Sequence, residues 1–468
     1  MVQSSAATLA GVCGNILEWY DFSIFGYFSD VIGVVFFPPS DKAAVSSTGE
    51  YYDDNLLKSF AVYGVAFLAR PIGGITIGYL GDKYGRKYAL VLSLFLMAIP
   101  TFVLGCLPTY DQVGSLSTVL LVLCRLLQGL SVGGQLPLSL VYTVEMKDKR
   151  KWGYYGSLVM TAANVGTLLG NFVGALLRTI LTTEQLYSWG WRIPFLSGIL
   201  IALVAIFLKL RGEEYHPNEG VYDQEESQES FSQPKHPLRE ALKKENRAAL
   251  VSSTLTPMLW GSGFYLTFVW MAIYMKDLLD TEIPHAFWIN ALAMLFGVTI
   301  PLPLIGMLSD YCGRVKTMLV GAVGVGILGP LCLLIISQGQ TIRAFFAQWL
   351  LGLMLALFGG PISAWLVERF PAKVRATSLS LGYDIAHCTA SAFSPLLATY
   401  LVQRVNPVAP GFLYSLFAVL ALIGMFVSTK IHQDGSLEEN KTTQSPELSN
   451  DAEVAVVEEE EETEREVV

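Results

Sequence analysis

The amino-acid sequence predicts an all-α membrane protein with twelve transmembrane helices in two pseudo-symmetric six-helix bundles. Three observations predict it. Apolar runs long enough to cross a bilayer recur from end to end of a chain that is 52% hydrophobic and only 15% charged, whereas soluble domains carry about a quarter charged residues. Lys and Arg concentrate in alternate loops. One loop sequence occurs twice, at equivalent places in the two halves.

The spans start near residues 10, 57, 88, 117, 154, 190, 249, 286, 317, 342, 377 and 409. Breaker-rich turns such as "FFPPSD", "LPTYDQ" and "RVNPVAPG" separate them. The even-numbered loops hold "DKYGRK", "KDKRK", "GRVK" and "ERFPAKVR", while the odd-numbered loops hold one or two basic residues each, or none. The positive-inside rule then places both termini in the cytoplasm. No organelle address is apparent, so the plasma membrane is the expected location. The start of the chain lacks a basic n-region, so no cleavable signal peptide is expected.

The polar stretch 212–248, with "EEYHPNEGVYDQEESQESFSQPKHP", reads as a cytoplasmic linker between bundles at 1–211 and 249–432. Residues 433–468 read as a disordered acidic tail, which dominates the formal net charge of −9. The six cysteines (13, 106, 124, 312, 332 and 388) suggest neither a disulfide framework nor a zinc site. No metal, cofactor or nucleic-acid partner is expected. There is no phosphate-binding G-x-x-x-x-G-K-[ST] loop and no nucleophile constellation, so neither a primary pump nor an enzyme is expected. The chain is expected to act as a monomer in the bilayer.

The halves repeat. "GYLGDKYGRK" follows the second span and "GMLSDYCGRVK" the eighth, with Gly, Asp, Gly and Arg aligned at 78/306, 82/310, 85/313 and 86/314. Arg125-x-x-x-Gly129 matches Gln348-x-x-x-Gly352, and Glu145 matches Glu368. Duplicated bundles around a central cavity suit alternating access, in which one half rocks against the other.

The motif G-x-L-x-D-x-x-G-R-K resembles the loop 2–3 signature of the major facilitator superfamily. The segments "GNILEWYDFSIFGYF", "FAVYGVAFLARPIGGITIGYLGDKYGRK", "RLLQGLSVGGQ", "WGWRIPFL" and "RFPAKVRATSLSLGYDIA" resemble its metabolite:proton symporter branch. That branch includes carriers of shikimate, oxoglutarate, citrate, dicarboxylates and proline/betaine. The resemblance implies the major facilitator fold and secondary active symport of a small carboxylate or zwitterion with a proton. A facilitative uniporter, an exchanger of organic anions and a transporter-like nutrient sensor are the alternatives.

Residues shared by both halves are expected to build the machine. Gly78 and Gly306 allow close helix approach, and Asp82 and Asp310 suit a neighbouring helix N-terminus. Arg86 and Arg314 can pair with Glu145 and Glu368. The resemblance implies that this set forms a cytoplasmic gate, and the alternative is a set of topology-setting loop charges.

Residues present in one half are expected to face the cargo. Arg70 aligns with Val298, and Arg125 with Gln348, so neither has a basic counterpart. Each suits a substrate carboxylate, or permanent neutralisation by Glu18, Asp21 or Asp384. Glu18 and Asp21 lie one helical turn apart on a face expected to look into the cavity. Two acids this close are not both cheaply ionised, which suits proton coupling, and a static ion pair is the alternative. Asp384 and His387 form a second pair, readable as a relay or as packing. The branch more often has Asn or Gln at the position of Asp384, and commonly Glu where Gln135 stands. Gln135, Asn164, Tyr20 and Tyr265 are expected to contact the substrate. The aromatics of spans one and seven (Trp19, Tyr20, Phe25, Tyr27, Trp260, Phe264, Tyr265 and Trp270) can form a cage for a quaternary ammonium or simply pack.

Overall fold

The computed structural model describes residues 3–38, 54–84, 86–145, 147–200, 202–203, 206, 242–371 and 375–443. The side chains of Gly78, Asp82, Arg86 and Gln135 lie outside what is described, as do nearly all of the 212–248 linker and residues 444–468.

Every long element among the described residues is a helix. The N-terminal half contains α1 (Gln3–Tyr27), α2 (Ser29–Phe36), α3 (Asp54–Tyr84), α4 (Arg86–Cys106), α5 (Ser115–Glu145), α6 (Trp152–Ile180) and the short α7 (Arg192–Leu196). The C-terminal half contains α8 (Arg247–Phe264), α9 (Ala286–Met294), α10 (Pro301–Cys312), α11 (Arg314–Ile336), α12 (Thr341–Val367), α13 (Arg375–Ala386), α14 (Ala392–Arg404) and α15 (Gly411–Thr443). The last helix runs to Thr443, so it overlaps the start of the acidic segment 433–468, the rest of which lies outside the described residues.

Eight helical stretches among the described residues are long and apolar enough to cross a membrane, and two shorter apolar helices accompany them. They differ in how much protein surrounds them. The stretch Arg247–Leu278 is 94% buried, whereas Arg314–Ile336 is 39% buried. Span seven is therefore enclosed by other helices, and span nine faces outward. Large apolar residues such as Ile72, Ile180, Ile327 and Phe426 are exposed, as a lipid-facing surface requires.

Glycine sets the closest helix crossing. A Cβ on Gly129 would lie 1.9 Å from the Ala66 carbonyl oxygen, and one on Gly133 would lie 1.9 Å from that of Arg70. Neither distance is possible for a real side chain, so α5 presses its bare backbone onto α3. In this register Arg125 lies beside Tyr63, whose carbonyl it approaches, about two turns of α3 before Arg70.

Among the described residues, five turns widen to π-helical geometry, including Tyr265–Trp270, Leu295–Thr299 and His387–Ser391. A π turn breaks the regular i to i−4 ladder and re-aims side chains, and it often marks a functional site. The freed polar groups find partners from other helices. The Phe268 carbonyl accepts from Tyr27 Oη and from Asn290 Nδ2, both at 2.8 Å. The Thr267 carbonyl accepts from Gln348 Nε2 at 2.6 Å.

Candidate functional site

Spans one and five of the first half meet spans seven and eleven of the second around an interior cavity. Its aromatic walls are Trp19, Trp260, Phe264, Tyr265 and Tyr383. Met160, Ala163, Asn164, Gly261 and His387 complete the lining. Tyr265 and His387 each begin a π turn, so two departures from regular helix flank the same space. Trp19 stacks on Tyr265, with ring centroids 6.5 Å apart and planes 19° apart. The free centre volume for a water-sized sphere is about 10 Å³, room for about one water.

Behind the aromatics lies a layer of buried charge. Arg70 is fully buried, and its nearest acid is Asp384, with Nη2 to Oδ1 at 3.4 Å. None of its side-chain nitrogens makes a hydrogen bond among the described residues. Its guanidinium lies 5.8 Å from the Phe67 ring centre and 6.0 Å from that of Tyr383. The pair joins α3 to α13, so it crosses between the halves. A Cβ on Gly74 would come within 2.9 Å of Asp384 Oδ2, so the absence of a side chain there admits the carboxylate.

Arg125 sits in a different box. Its guanidinium lies 4.3 Å from the Phe25 ring centre, 4.9 Å from Phe22 and 5.5 Å from Tyr63. Its Nη1 donates to Gln128 Oε1 at 2.9 Å. Gln128 Nε2 in turn donates to Asp21 Oδ2 and to Thr101 Oγ1, both at 2.9 Å. One neutral amide therefore bridges a buried base and a buried acid. Glu18 is also buried, and neither of its oxygens is hydrogen-bonded among the described residues. It stands within electrostatic reach of Arg70, Asp21 and Asp384.

Polar clusters that include contacts between the halves stand toward both ends of α6. At the end carrying the repeated loop, Asp310 accepts from the backbone N–H groups of Gly153 at 2.8 Å and Tyr154 at 3.0 Å. These are free donors at the start of α6, where the helix dipole favours an anion. Arg314 binds Asp310 at 2.8 Å and Glu368 at 2.7 Å. Glu145 pairs with Arg375 of the other half.

The opposite end of α6 carries Arg178, roughly 37 Å from Gly153 at 1.5 Å per residue. Arg178 Nη2 holds both oxygens of Asp30, at 2.6 and 2.8 Å. Lys276, from the second half, donates to Asp30 Oδ2 and to Asp277 Oδ1, each at 3.0 Å. Trp288 Nε1 donates to Thr179 Oγ1 at 3.1 Å beside this cluster.

Residues 6–441 match the sugar (and other) transporter family. The chain belongs to that family. It is 30% identical over 421 residues to the proline/betaine transporter of Escherichia coli K12, covering 89% of this chain and 82% of that protein. It is 28% identical over 426 residues to the glycine betaine/proline/ectoine/pipecolic acid transporter OusA of Dickeya dadantii, covering 90% and 82%. Among solved structures, the xylose transporter XylE of E. coli in a partially occluded inward-open conformation superposes with a TM-score of 0.69. The match covers 92% of this chain and 98% of that one at 18% identity, a likeness of fold.

For a member of this transporter family, the sequence-based expectations divide unevenly. Asn164, Tyr265 and His387 line the cavity. Glu18, Asp21, Arg70, Arg125 and Asp384 are buried outside this lining in this conformation. On α1 it is the neighbouring Trp19 that lines the cavity, while Asp21 accepts from Gln128. Tyr20 is also displaced from the lining, and its hydroxyl accepts from Ser197 Oγ at 3.3 Å. Glu145 pairs with Arg375, and the expected pairing with Arg86 lies outside the described side chains.

Of the eight aromatics flagged in spans one and seven, Trp19, Trp260, Phe264 and Tyr265 line the cavity. Phe25 instead packs on Arg125, and Trp270 donates to Thr399 Oγ1 at 3.0 Å. The sequence reading missed Gln128, Tyr383, Arg375 and the Asp30–Arg178–Lys276 cluster. Asp30 carried a usable signal, being a third acid in the first apolar segment. Gln128 carried none beyond its spacing of three from Arg125.

Proposed function

We propose that this protein is a proton-coupled symporter of a small zwitterion or carboxylate, working by alternating access. One observation carries the reading: Arg70 is a fully buried guanidinium without a hydrogen bond among the described residues, behind the aromatic wall of the cavity. Its one ion partner among the described residues is Asp384, at a long 3.4 Å, and a carboxylate is the group that fits the fork. A proton on Asp384 would weaken its hold on Arg70 and free the guanidinium for the cargo carboxylate. The aromatic walls would face the cationic end of a zwitterion. Tyr265, between the cavity and both arginines, is the side chain that cargo must displace to reach them.

In this reading Glu18 and Asp21 share the proton work, with Gln128 relaying the state of Asp21 to Arg125. Asp310, Arg314, Glu368, Glu145 and Arg375 form the gate on one side, and Gly78, Asp82 and Arg86 belong to it through the repeat. Asp30, Arg178 and Lys276 form the gate on the other. The basic even-numbered loops support a cytoplasmic location for the first gate and for both termini, in the plasma membrane. The relatives that carry proline and betaine support a zwitterionic osmolyte as cargo.

The test is internal pH in proteoliposomes holding the purified protein, with proline, betaine, shikimate, oxoglutarate, citrate and succinate added in turn. Acidification with one cargo, abolished in Asp21→Asn or Asp384→Asn while cargo binding survives, supports the reading. Counterflow of a cargo without any acidification overturns the proton coupling and leaves a uniporter or exchanger.

A further inference from the structure

We propose that His387 reads the number of hydrogens on the cargo's nitrogen, accepting an N–H at its Nε2 and so favouring protonated amines over quaternary ammonium groups. The inference rests on the zwitterion reading above and goes on to name a specificity residue. His387 Nδ1 lies 3.0 Å from the Tyr383 carbonyl oxygen. A carbonyl only accepts, so Nδ1 carries the hydrogen, and the neutral ring presents a lone pair at Nε2. The ring is held in place by Tyr383, whose ring centre lies 4.1 Å away at 31°.

Nε2 points toward Gly261 of α8. A Cβ at that position would meet Nε2 at 3.2 Å and Ser391 Oγ at 2.2 Å, so only glycine lets α8 pack this closely on the ring and hold it at the cavity wall. Both His387 and Gly261 line the cavity. The surrounding π faces attract any cation, methylated or not, because they act on charge. They cannot count hydrogens. A fixed lone pair can: it gains a charge-assisted bond from an N–H, and a methyl group in the same place leaves it buried and unpaired. Asn164, also in the lining, is anchored by its Nδ2, which donates to the Met160 carbonyl at 2.9 Å. Arg70 lies 6.0 Å from the Tyr383 ring centre, paired with Asp384, and it can hold the opposite, carboxylate end of the cargo.

The test uses the full-length protein in proteoliposomes and competition against labelled proline by proline, N-methylproline and N,N-dimethylproline. The wild type is expected to weaken along the series, with the largest step, about tenfold or more, at the loss of the last N–H. His387→Leu is expected to lose that step, binding the two N–H cargoes about tenfold more weakly while leaving N,N-dimethylproline nearly unchanged. His387→Gln, which keeps an acceptor, is expected to restore part of the step. A wild type that binds all three equally overturns the assignment without any variant. So does a His387→Leu protein that keeps the same ratio. If no member of the series competes or is carried, the zwitterion reading itself fails, and the role of His387 falls with it.

Discussion

Lys276 donates to Asp30 at 3.0 Å across the boundary between the halves, while Arg178 grips the same carboxylate from within the first half. One acid thus serves two bases from different moving bodies. Opening this end of the molecule must separate Lys276 from Asp30. Asp30→Asn removes the shared anion and leaves two partly buried cations facing each other. Losing one side of such a pair is worth about 3 kcal/mol, or roughly a hundredfold in a conformational equilibrium. Spin labels at Glu184 and Glu282, both exposed at this end, are expected to move apart in the variant. An unchanged distance distribution would show that the cluster does not latch the two halves.

Arg70 and Asp384 offer a second separable test. Asp384→Asn leaves the guanidinium buried without its counter-charge, at a cost of about 3 kcal/mol. The melting temperature in detergent is expected to fall. Adding Arg70→Met is expected to recover much of the stability while transport stays lost. If the double variant transports, neither residue belongs to the working site.

Gln128 holds Asp21 and Arg125 together through separate ends of one amide. Gln128→Leu removes a hydrogen bond to each charged group, about 1.5–3 kcal/mol apiece. Initial uptake under an imposed pH gradient is expected to fall at least tenfold, with cargo binding less affected. Equal losses in binding and uptake would mark Gln128 as part of the cargo site and not as a coupling element.

The glycine contacts make a packing prediction with an internal control. Gly129→Ala places a methyl 1.9 Å from the Ala66 carbonyl, backbone that cannot rotate away, whereas at Gly174 the nearest atom lies at 3.6 Å. The first variant is expected to cost about 1–3 kcal/mol in thermal stability, and the second is expected to be near neutral. Similar melting curves for the two would mean that α3 and α5 are free to separate.

The architecture was legible because bilayer physics writes it in coarse strokes. Apolar runs, basic loops and the Gly306–Lys316 copy of Gly78–Lys87 each survive without any knowledge of packing. The buried charges were legible for a related reason, since Glu18, Asp21, Arg70, Arg125 and Asp384 stand out in apolar surroundings. Their orientation was not. Adjacent residues on a helix differ by about 100°, so the step from Glu18 to Trp19 decides which side chain meets the cavity. Gln128 was hidden because a neutral amide raises no alarm in a sequence. Tyr383 was hidden because aromatic residues are 12% of the chain and most of them pack. The Asp30 cluster joins α2, α6 and the end of span seven, far apart in sequence, and only the closed arrangement brings them together.

The contracted cavity bears on what the protein does when cargo is scarce. Protons run along files of hydrogen-bonded waters, and a space for about one water holds no such file. In the proposed symport, the same aromatic side chains that would wrap a cargo would serve, in its absence, as the plug against proton leak.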